Sequence, residues 1–143
     1  MLCEMFINFD GECAEALDFY ENAFGSSVEN VLKYSDTPSS EDYTVPEADK
    51  DRIMYAGIPM GNMTMMFMDL PSGSSFTKGN SISPTVSFEN NEDVQRVFEA
   101  LSEGGIVLTA PTKTFFSDLY ASVEDKFGII WQILHYDSET ATY

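Results

Sequence analysis

The sequence predicts an α+β fold made of two copies of one module, each with the order strand–helix–strand–strand–strand. The hydrophobic period changes between about two and about 3.6 residues in the same order in both halves. The closing hairpin LYASVEDKFGIIWQILHY repeats the pattern of the earlier hairpin YAGIPMGNMTMMFMD. A shift of 81 residues carries the apolar helix positions Cys13, Ala16, Leu17 and Tyr20 onto Val94, Val97, Phe98 and Leu101. Because one such module buries too little surface to be stable alone, residues 1–143 are predicted to form a single domain.

The first module is predicted to span residues 1–70. Alternating apolar residues indicate a strand at Leu2–Phe9, and a helical period starts at Cys13 and ends at Gly25. Three strands follow, at Val28–Tyr34, Arg52–Ile58 and Asn62–Asp69. The polar segment Ser35–Asp51 separates the first two of these strands. Its length is compatible with a functional lid or with a surface insertion, and its role stays open.

A polar linker at residues 70–80 precedes the second module, which is predicted to span residues 81–137. Its helix is predicted at Asn90–Glu103 and ends at two glycines. Its strands are predicted at Ser81–Phe88, Ile106–Thr109, Leu119–Glu124 and Ile129–Tyr136. Because Pro84 lacks an amide donor, the first of these strands is expected at a sheet edge or beside a bulge.

The charge balance argues against two classes of partner. With 24 acidic and 7 basic side chains, the formal net charge is −17. A surface this negative repels phosphate backbones, so neither nucleic acid nor an anionic membrane is expected as a partner. The acids are scattered along the chain, which favours solubility or a salt-adapted host over binding of a basic partner.

The cysteine content and the N-terminal residues indicate a cytoplasmic protein. The two cysteines, Cys3 and Cys13, form no CxxC motif and do not indicate a disulfide scaffold. The opening MLCEMFINFD lacks the basic region of a signal peptide. No apolar stretch approaches the roughly 20 residues that a membrane span requires.

Four segments carry a resemblance that covers nearly the whole chain. They are FINFDGECAEALDFYENAFG, YAGIPMGNMTMMFMD, VQRVFEALSEGG and DKFGIIWQILHY. In these segments the chain resembles the vicinal oxygen chelate superfamily, which contains glyoxalase I, bleomycin-resistance proteins and extradiol dioxygenases. More narrowly, it is similar to the PhnB-like branch, also labelled 3-demethylubiquinone methyltransferase-like. No glycine-rich signature for an adenosyl cofactor is present, so we do not take that label as a prediction of methyl transfer.

The resemblance implies the glyoxalase/bleomycin-resistance fold, in which two βαβββ modules form a curved mixed sheet around a cavity. It also implies a homodimer. Metal-using members of the superfamily carry His, Gln or Glu ligands on the first and last strands of each module. A divalent ion bound there acts as a Lewis acid on vicinal oxygens of the substrate.

Strand alternation separates the residues expected to face the cavity from those expected to pack under the helices. The residues expected to bind a ligand are Glu4, Phe6, Asn8, Met65, Phe67, Thr85, Phe116 and Gln132. The residues expected under the helices are Met5, Ile7, Phe9, Val86 and Phe88. Aligning the turns of the two hairpins places Met65 and Gln132 at matching positions. The methionines around Met65 are compatible with an adaptable pocket, a partner surface or ordinary core packing.

The predicted positions do not reproduce the metal site of the superfamily. Glu4 and Gln132 are weak candidate ligands, because a carboxylate and an amide bind hard ions. Met65 and a hydroxyl residue at the other two positions are poor ligands for Ni²⁺, Zn²⁺ or Fe²⁺. We therefore expect no resident metal and no other cofactor.

The remaining reactive side chains offer little for catalysis. His135 lies three residues from Gln132, so on a strand it is expected to face away from the cavity unless a bulge intervenes. Cys3 and Cys13 are both expected on helix-facing surfaces, where a thiol behaves as a small hydrophobic group.

Three functions are compatible with the sequence. The first is a metal-independent protein that binds an uncharged or cationic small molecule in an apolar cavity. The second is a divalent-metal-dependent lyase or isomerase of the glyoxalase type that uses Glu4 and Gln132. The third is a non-catalytic interaction protein with a methionine-rich partner surface. The ligand, the reaction and the geometry of the dimer do not follow from the sequence.

Overall fold

The computed structural model describes residues 4–138. The chain divides into two units, Met1–Thr77 and Lys78–Tyr143, and the boundary falls within the linker predicted at residues 70–80. Each unit contains one α-helix and one four-stranded sheet. The α+β fold with two βαβββ modules is therefore confirmed.

The sheet of the first unit has mixed topology. Its elements are β1 (Phe6–Phe9), α1 (Cys13–Phe24), β2 (Glu29–Lys33), β3 (Ile53–Met60) and β4 (Met63–Asp69). The strand order is β1-β4-β3-β2, in which β1 runs parallel to β4 and the other neighbours are antiparallel. The tight β3–β4 hairpin places Met60 opposite Met63, and Gly61 in its turn has a positive φ of 62°.

The second unit repeats this topology. Its elements are β5 (Thr85–Phe88), α2 (Asn91–Ser102), β6 (Ile106–Thr112), β7 (Tyr120–Glu124) and β8 (Ile130–His135). The strand order is β5-β8-β7-β6, with β5 parallel to β8. The first strand of this unit begins at Thr85 rather than at Ser81. Pro84 precedes it, and the Pro84 carbonyl accepts a hydrogen bond from the backbone N–H of Gln132. β6 extends beyond the predicted end at Thr109 and includes Pro111, which an edge strand tolerates.

The helix of each unit packs on one face of its own sheet. In the first unit Tyr20 of α1 is fully buried and its ring stacks on Phe67 of β4, with 5.4 Å between the ring centroids. In the second unit Val94, Val97 and Leu101 of α2 are fully buried, as are Trp131 and Ile133 of β8. We call these two sheet surfaces the helix faces, and the opposite surfaces the open faces.

Side-chain hydrogen bonds anchor the segment between β2 and β3. It contains two short 3₁₀ turns, Tyr34–Asp36 and Glu47–Asp49. Asp49 is buried, and hydrogen bonds from the Ser72 side chain and from the Ser72 backbone N–H lower the pKa of its carboxyl group. The Tyr34 hydroxyl donates to the carbonyl of Asp69. Both ends of the predicted long loop are therefore held near the end of β4, by Asp69 on one side and by Ser72 on the other.

No helix within residues 4–138 combines the length and the apolar character that crossing a membrane would require.

Candidate functional site

A row of hydrogen-bonded polar side chains crosses the open face of the second unit at Gln132. Strand pairing places Gln132 in register with Thr85 of β5 and Ser122 of β7. The Gln132 Oε1 accepts from the Tyr120 hydroxyl at 3.2 Å, and its Nε2 donates to the Ser83 Oγ at 2.8 Å. Both ends of the Gln132 amide are therefore oriented by neighbours. A side-chain carboxamide has two N–H donors and two carbonyl lone pairs, so one of each remains for a ligand.

Aromatic rings extend this polar row toward the turn before β7. The Phe116 ring lies edge-to-face with Tyr120, at 5.4 Å between the ring centroids. Phe115 lies edge-to-face with Phe116 at 5.1 Å. Phe116 is 55% exposed and Phe115 is fully exposed. The second unit thus combines hydrogen-bonding groups with accessible apolar rings, which is the usual composition of a small-molecule site.

The open face of the first unit is formed mainly by aromatic and thioether side chains. Phe6 lies edge-to-face with Tyr55, at 6.0 Å between the ring centroids. Met66 pairs with both Phe6 and Gly57, and Met68 pairs with Asn8. Residues paired across a sheet share a face, so these side chains form one surface.

Gly57 leaves room for its neighbours on this surface. A Cβ added at Gly57 would lie 2.8 Å from the Cγ2 of Thr64 and 3.6 Å from the Tyr55 hydroxyl. The first distance is below van der Waals contact, so any larger residue would displace the Thr64 side chain.

The expected placement of Met65 and Phe67 on the ligand-facing side is wrong. The Phe67 ring stacks on Tyr20 of α1, and Phe67 is fully buried. Met65 has the same strand parity as Phe67, so it also lies on the helix face; burial does not separate the two faces here, since Met65 and Met66 are both 5% exposed. Met66 and Met68 occupy the open face instead.

The error is a register slip of one residue, and its cause is a difference in loop length. The β3–β4 hairpin has a two-residue loop, since Met60 pairs with Met63. The β7–β8 hairpin has a five-residue loop, since Glu124 pairs with Ile130. Aligning the turns by sequence therefore shifts one strand relative to the other, and a shift of one residue moves every side chain to the opposite face. Met66 pairs with Phe6, the first residue of β1, and Gln132 pairs with Thr85, the first residue of β5, so Met66 rather than Met65 corresponds to Gln132.

The other expected ligand contacts lie on the predicted faces. Phe6 and Asn8 are exposed and alternate with buried Ile7 and Phe9. Thr85 is exposed beside Gln132. Their roles in ligand binding stay predictions.

Glu4 and Met5 precede the first strand. Both are exposed, so the expected packing of Met5 under a helix is wrong. Its carbonyl accepts from the Met66 amide. Glu4 belongs to the first unit and Gln132 to the second, and the expected use of both residues at one site stays a prediction.

His135 faces away from Gln132, and Cys13 is buried on its helix, both as predicted from the sequence. His135 pairs with Phe88 and shares the strand face of Trp131 and Ile133, away from Gln132. Its carbonyl accepts from the Ser117 hydroxyl. Cys13 is fully buried, and burial, with a further contribution from the Asp69 carboxylate, raises the pKa of its thiol far above the usual range. A thiol held protonated in this way is a poor nucleophile. Cys3 lies outside the described residues.

The donor atoms on the two open faces do not fit the divalent metal that the superfamily often uses. The oriented donors of the second unit are an amide and two hydroxyl groups, and the corresponding residue in the first unit is the thioether Met66. Such a set is neutral, whereas catalytic metals of this kind are bound mainly by imidazole and carboxylate. Within residues 4–138, no group of three or more His, Cys, Asp or Glu side chains is arranged to hold a metal ion.

Sequence reasoning missed two features of these faces. It did not pair Tyr120 and Ser83 with Gln132, although strand parity alone places Tyr120 on the same face. It also missed Tyr55 and Met66, whose placement depends on the loop length of the β3–β4 hairpin.

The repeated βαβββ topology and the two open faces define a protein of the glyoxalase fold. A glyoxalase-related enzyme from Fulvimarina pelagi shares this fold, with a TM-score of 0.60, 17% identity, and coverage of 95% of this chain and 89% of that one. The chain belongs to the family described as 3-demethylubiquinone-9 3-methyltransferase, whose model matches residues 3–134.

Two further solved structures are more similar to this chain. Protein PA1353 from Pseudomonas aeruginosa has a TM-score of 0.82 and 25% identity, covering 96% of this chain and 99% of that one. A PhnB protein from Bacillus cereus, described as a putative 3-demethylubiquinone-9 3-methyltransferase, has a TM-score of 0.76 and 23% identity. That match covers 95% of this chain and all of the other. Both matches extend over almost the full length, which agrees with the PhnB-like branch expected from the sequence.

Proposed function

We propose that this protein binds an uncharged or cationic small molecule on the open face of its second unit, without a resident metal. The observation that carries the proposal is the orientation of Gln132 by Tyr120 and Ser83. An amide held at both ends is preorganised for a ligand, since little side-chain freedom remains to be lost on binding. The formal charge of −17 disfavours anionic ligands.

The donor chemistry supports binding over the metal-dependent alternative. A lyase or isomerase of the glyoxalase type would need a charged ligand set around its ion, and the oriented side chains here are neutral. Thr85 and Phe116 are proposed as further contacts of the ligand, because they lie beside Gln132 and Tyr120 respectively.

Gln132→Leu is expected to weaken binding of small carboxamides and amines about tenfold. The change removes a hydrogen-bonding amide at nearly constant volume, and one lost hydrogen bond is worth about 1 kcal/mol or somewhat more. Amide ¹H–¹⁵N spectra of the full chain, titrated with these compounds, give the affinities, and the shifted signals should cluster at Thr85, Ser122 and Gln132. Gln95→Leu, the same change on α2, should leave the affinities unaltered. Absence of binding by every compound, or equal binding by the Gln132→Leu variant, would contradict the proposal.

We further infer that two copies of the chain associate in the cytoplasm. The outer strands β2 and β6 each present one unpaired edge within their sheets. Their exposed apolar residues are Val31, Leu32, Ile106, Val107 and Leu108. Apolar edge strands usually require a covering partner. Analytical ultracentrifugation at micromolar concentration should give twice the chain mass of 16.0 kDa, and a single species at the monomer mass would refute the dimer.

A further inference from the structure

We propose that Phe116 makes the Gln132 face selective for planar aromatic ligands that carry an uncharged or cationic polar group. This inference rests on the proposed function and specifies the class of ligand. It assigns the polar group of the ligand to Gln132 and its ring to Phe116.

The first support is a continuous series of rings that leads to the polar row. Phe115 contacts Phe116, and Phe116 contacts Tyr120, each in edge-to-face geometry. The hydroxyl of Tyr120 is hydrogen-bonded to Gln132. A ligand whose polar group reaches Gln132 therefore extends along this series. Aromatic rings prefer offset-stacked or edge-to-face neighbours, so a planar ring gains more here than a puckered aliphatic one.

The second support is the rigidity of the turn that carries Phe116. The Thr114 N–H donates to the Ser117 carbonyl, and the Ser117 N–H donates to the Thr114 hydroxyl. The Ser117 hydroxyl lies 2.8 Å from the carbonyl oxygens of both Leu119 and His135 and donates its one proton to either of them, and the His135 contact attaches the turn to β8. Lys113 and Asp118 form an ion pair of 2.7 Å across the turn, but both side chains are largely exposed, so the hydrogen bonds hold the turn more than this pair does.

Exposure of the rings on this fixed turn has a free-energy cost that a ligand would offset. Phe116 keeps 55% of its surface exposed, and Phe115 keeps all of it. Burying part of such a ring contributes about 25 cal/mol per Å² of apolar surface. A fixed exposed ring beside an oriented amide fits a binding role better than a role in the core.

The polar groups at this face restrict the charge of the ligand. The carboxylate Glu124 lies on the same strand face as Tyr120 and Ser122, two residues beyond the pair of Ser122 with Gln132. The Lys78 side chain lies beside the same glycine, Gly128, as the Glu124 carboxylate and offsets part of its charge. Gln132, Ser83 and Tyr120 are neutral. An anionic group would meet the field of Glu124 and of a strongly acidic protein, whereas a neutral or positively charged group would not be repelled.

Benzamide and cyclohexanecarboxamide provide a matched pair of probes. Both present the same carboxamide to Gln132, and only the first has a planar aromatic ring. We expect the full chain to bind benzamide about fivefold more tightly, as measured by amide ¹H–¹⁵N titration. Phe116→Leu should abolish this preference, and Phe116→Tyr should keep it. Phe115→Leu, the same change on the neighbouring ring, should reduce the preference less.

The outcomes separate this inference from the proposed function. If both amides bind equally to the wild-type chain and both lose affinity in Gln132→Leu, the proposed function holds and the aromatic selectivity is refuted. If neither amide binds at this face, both proposals are refuted. The inference would be overturned if the Phe116→Leu variant still preferred benzamide and no longer self-associated in ultracentrifugation. The turn would then be assigned to contacts between two copies of the chain. Because Phe116 is exposed, its variants are expected to fold, which circular dichroism checks.

Discussion

Asp69→Ala is expected to lower the free energy of unfolding of the first unit by about 3 kcal/mol or more. Asp69 is 1% exposed. One of its carboxylate oxygens accepts from the N–H groups of Gly11 and Cys13, at 2.8 and 3.0 Å. The other accepts from the N–H of Ile53 at 2.9 Å. Removing the carboxylate leaves three backbone donors without this acceptor. Those of Cys13 and Ile53 are buried and that of Gly11 is partly buried, and each buried unsatisfied donor costs about 1–3 kcal/mol.

The position of Asp69 explains why this loss should be large. It stands at the end of β4 and fixes the start of α1 on one side and the start of β3 on the other. A single side chain at the end of β4 thereby joins α1, β3 and β4. Asp69→Asn should also be destabilising, because its amide has only one oxygen and its NH₂ group must face a backbone N–H on one side.

Urea unfolding and hydrogen exchange measure this effect. The exchange rates of the Gly11, Cys13 and Ile53 amides should rise the most in Asp69→Ala. The control is Asp51→Ala, which removes a carboxylate that is 99% exposed and forms only a 3.6 Å ion pair with Lys33. Such surface pairs contribute between zero and about 1 kcal/mol. Equal stability of the two variants would show that Asp69 does not organise the module.

The alternation of apolar and polar residues was sufficient to assign side chains to the correct face of a strand where the two faces differ in polarity. In β8 the buried residues Trp131 and Ile133 alternate with Gln132, so the face of Gln132 could be assigned correctly. In β1 the alternation of Ile7 and Phe9 with Asn8 had the same effect. The repeat of 81 residues gave the number of modules and their order of elements.

Patterning failed in β4, where both faces are apolar. The run Met63–Asp69 contains methionine or phenylalanine at five of its seven positions, so alternation carries no information about orientation. Only the length of the preceding loop fixes the register, and this length could not be read from the two turn sequences. Met65 and Phe67 were assigned to the wrong face for this reason.

The buried aspartates could not be predicted either. Aspartate is rarely buried, and nothing in the sequence around Asp69 or Asp125 distinguishes them from the many surface acids of this chain. Their role depends on backbone donors brought together by the tertiary fold. The polar row at Gln132 has the same origin, since Ser83 lies 49 residues away from it in the chain.

Asp125 makes the second large prediction because, like Asp69, it is buried and accepts three hydrogen bonds, here all within the β7–β8 hairpin. Its Oδ1 accepts from the N–H groups of Phe127 and Ile129, at 2.9 and 3.0 Å, and its Oδ2 accepts from the indole Nε1 of Trp131 at 2.8 Å. Asp125 is 3% exposed, and Trp131 is fully buried. Asp125→Ala is expected to lower the free energy of unfolding by about 3 kcal/mol or more, since two buried donors and the partly buried N–H of Ile129 lose their acceptor.

A double-mutant cycle with Trp131 tests this assignment. Asp125→Asn places an NH₂ group against the indole N–H if its oxygen keeps the two backbone donors, and two donors then face each other. Trp131→Phe removes the indole N–H, so its cost in urea unfolding should be smaller in the Asp125→Asn background than in the wild-type chain. The coupling free energy is expected to be about 1–2 kcal/mol. Additive costs would mean that Trp131 and Asp125 act independently, and the loop that precedes β8 would then be held by the backbone bonds alone.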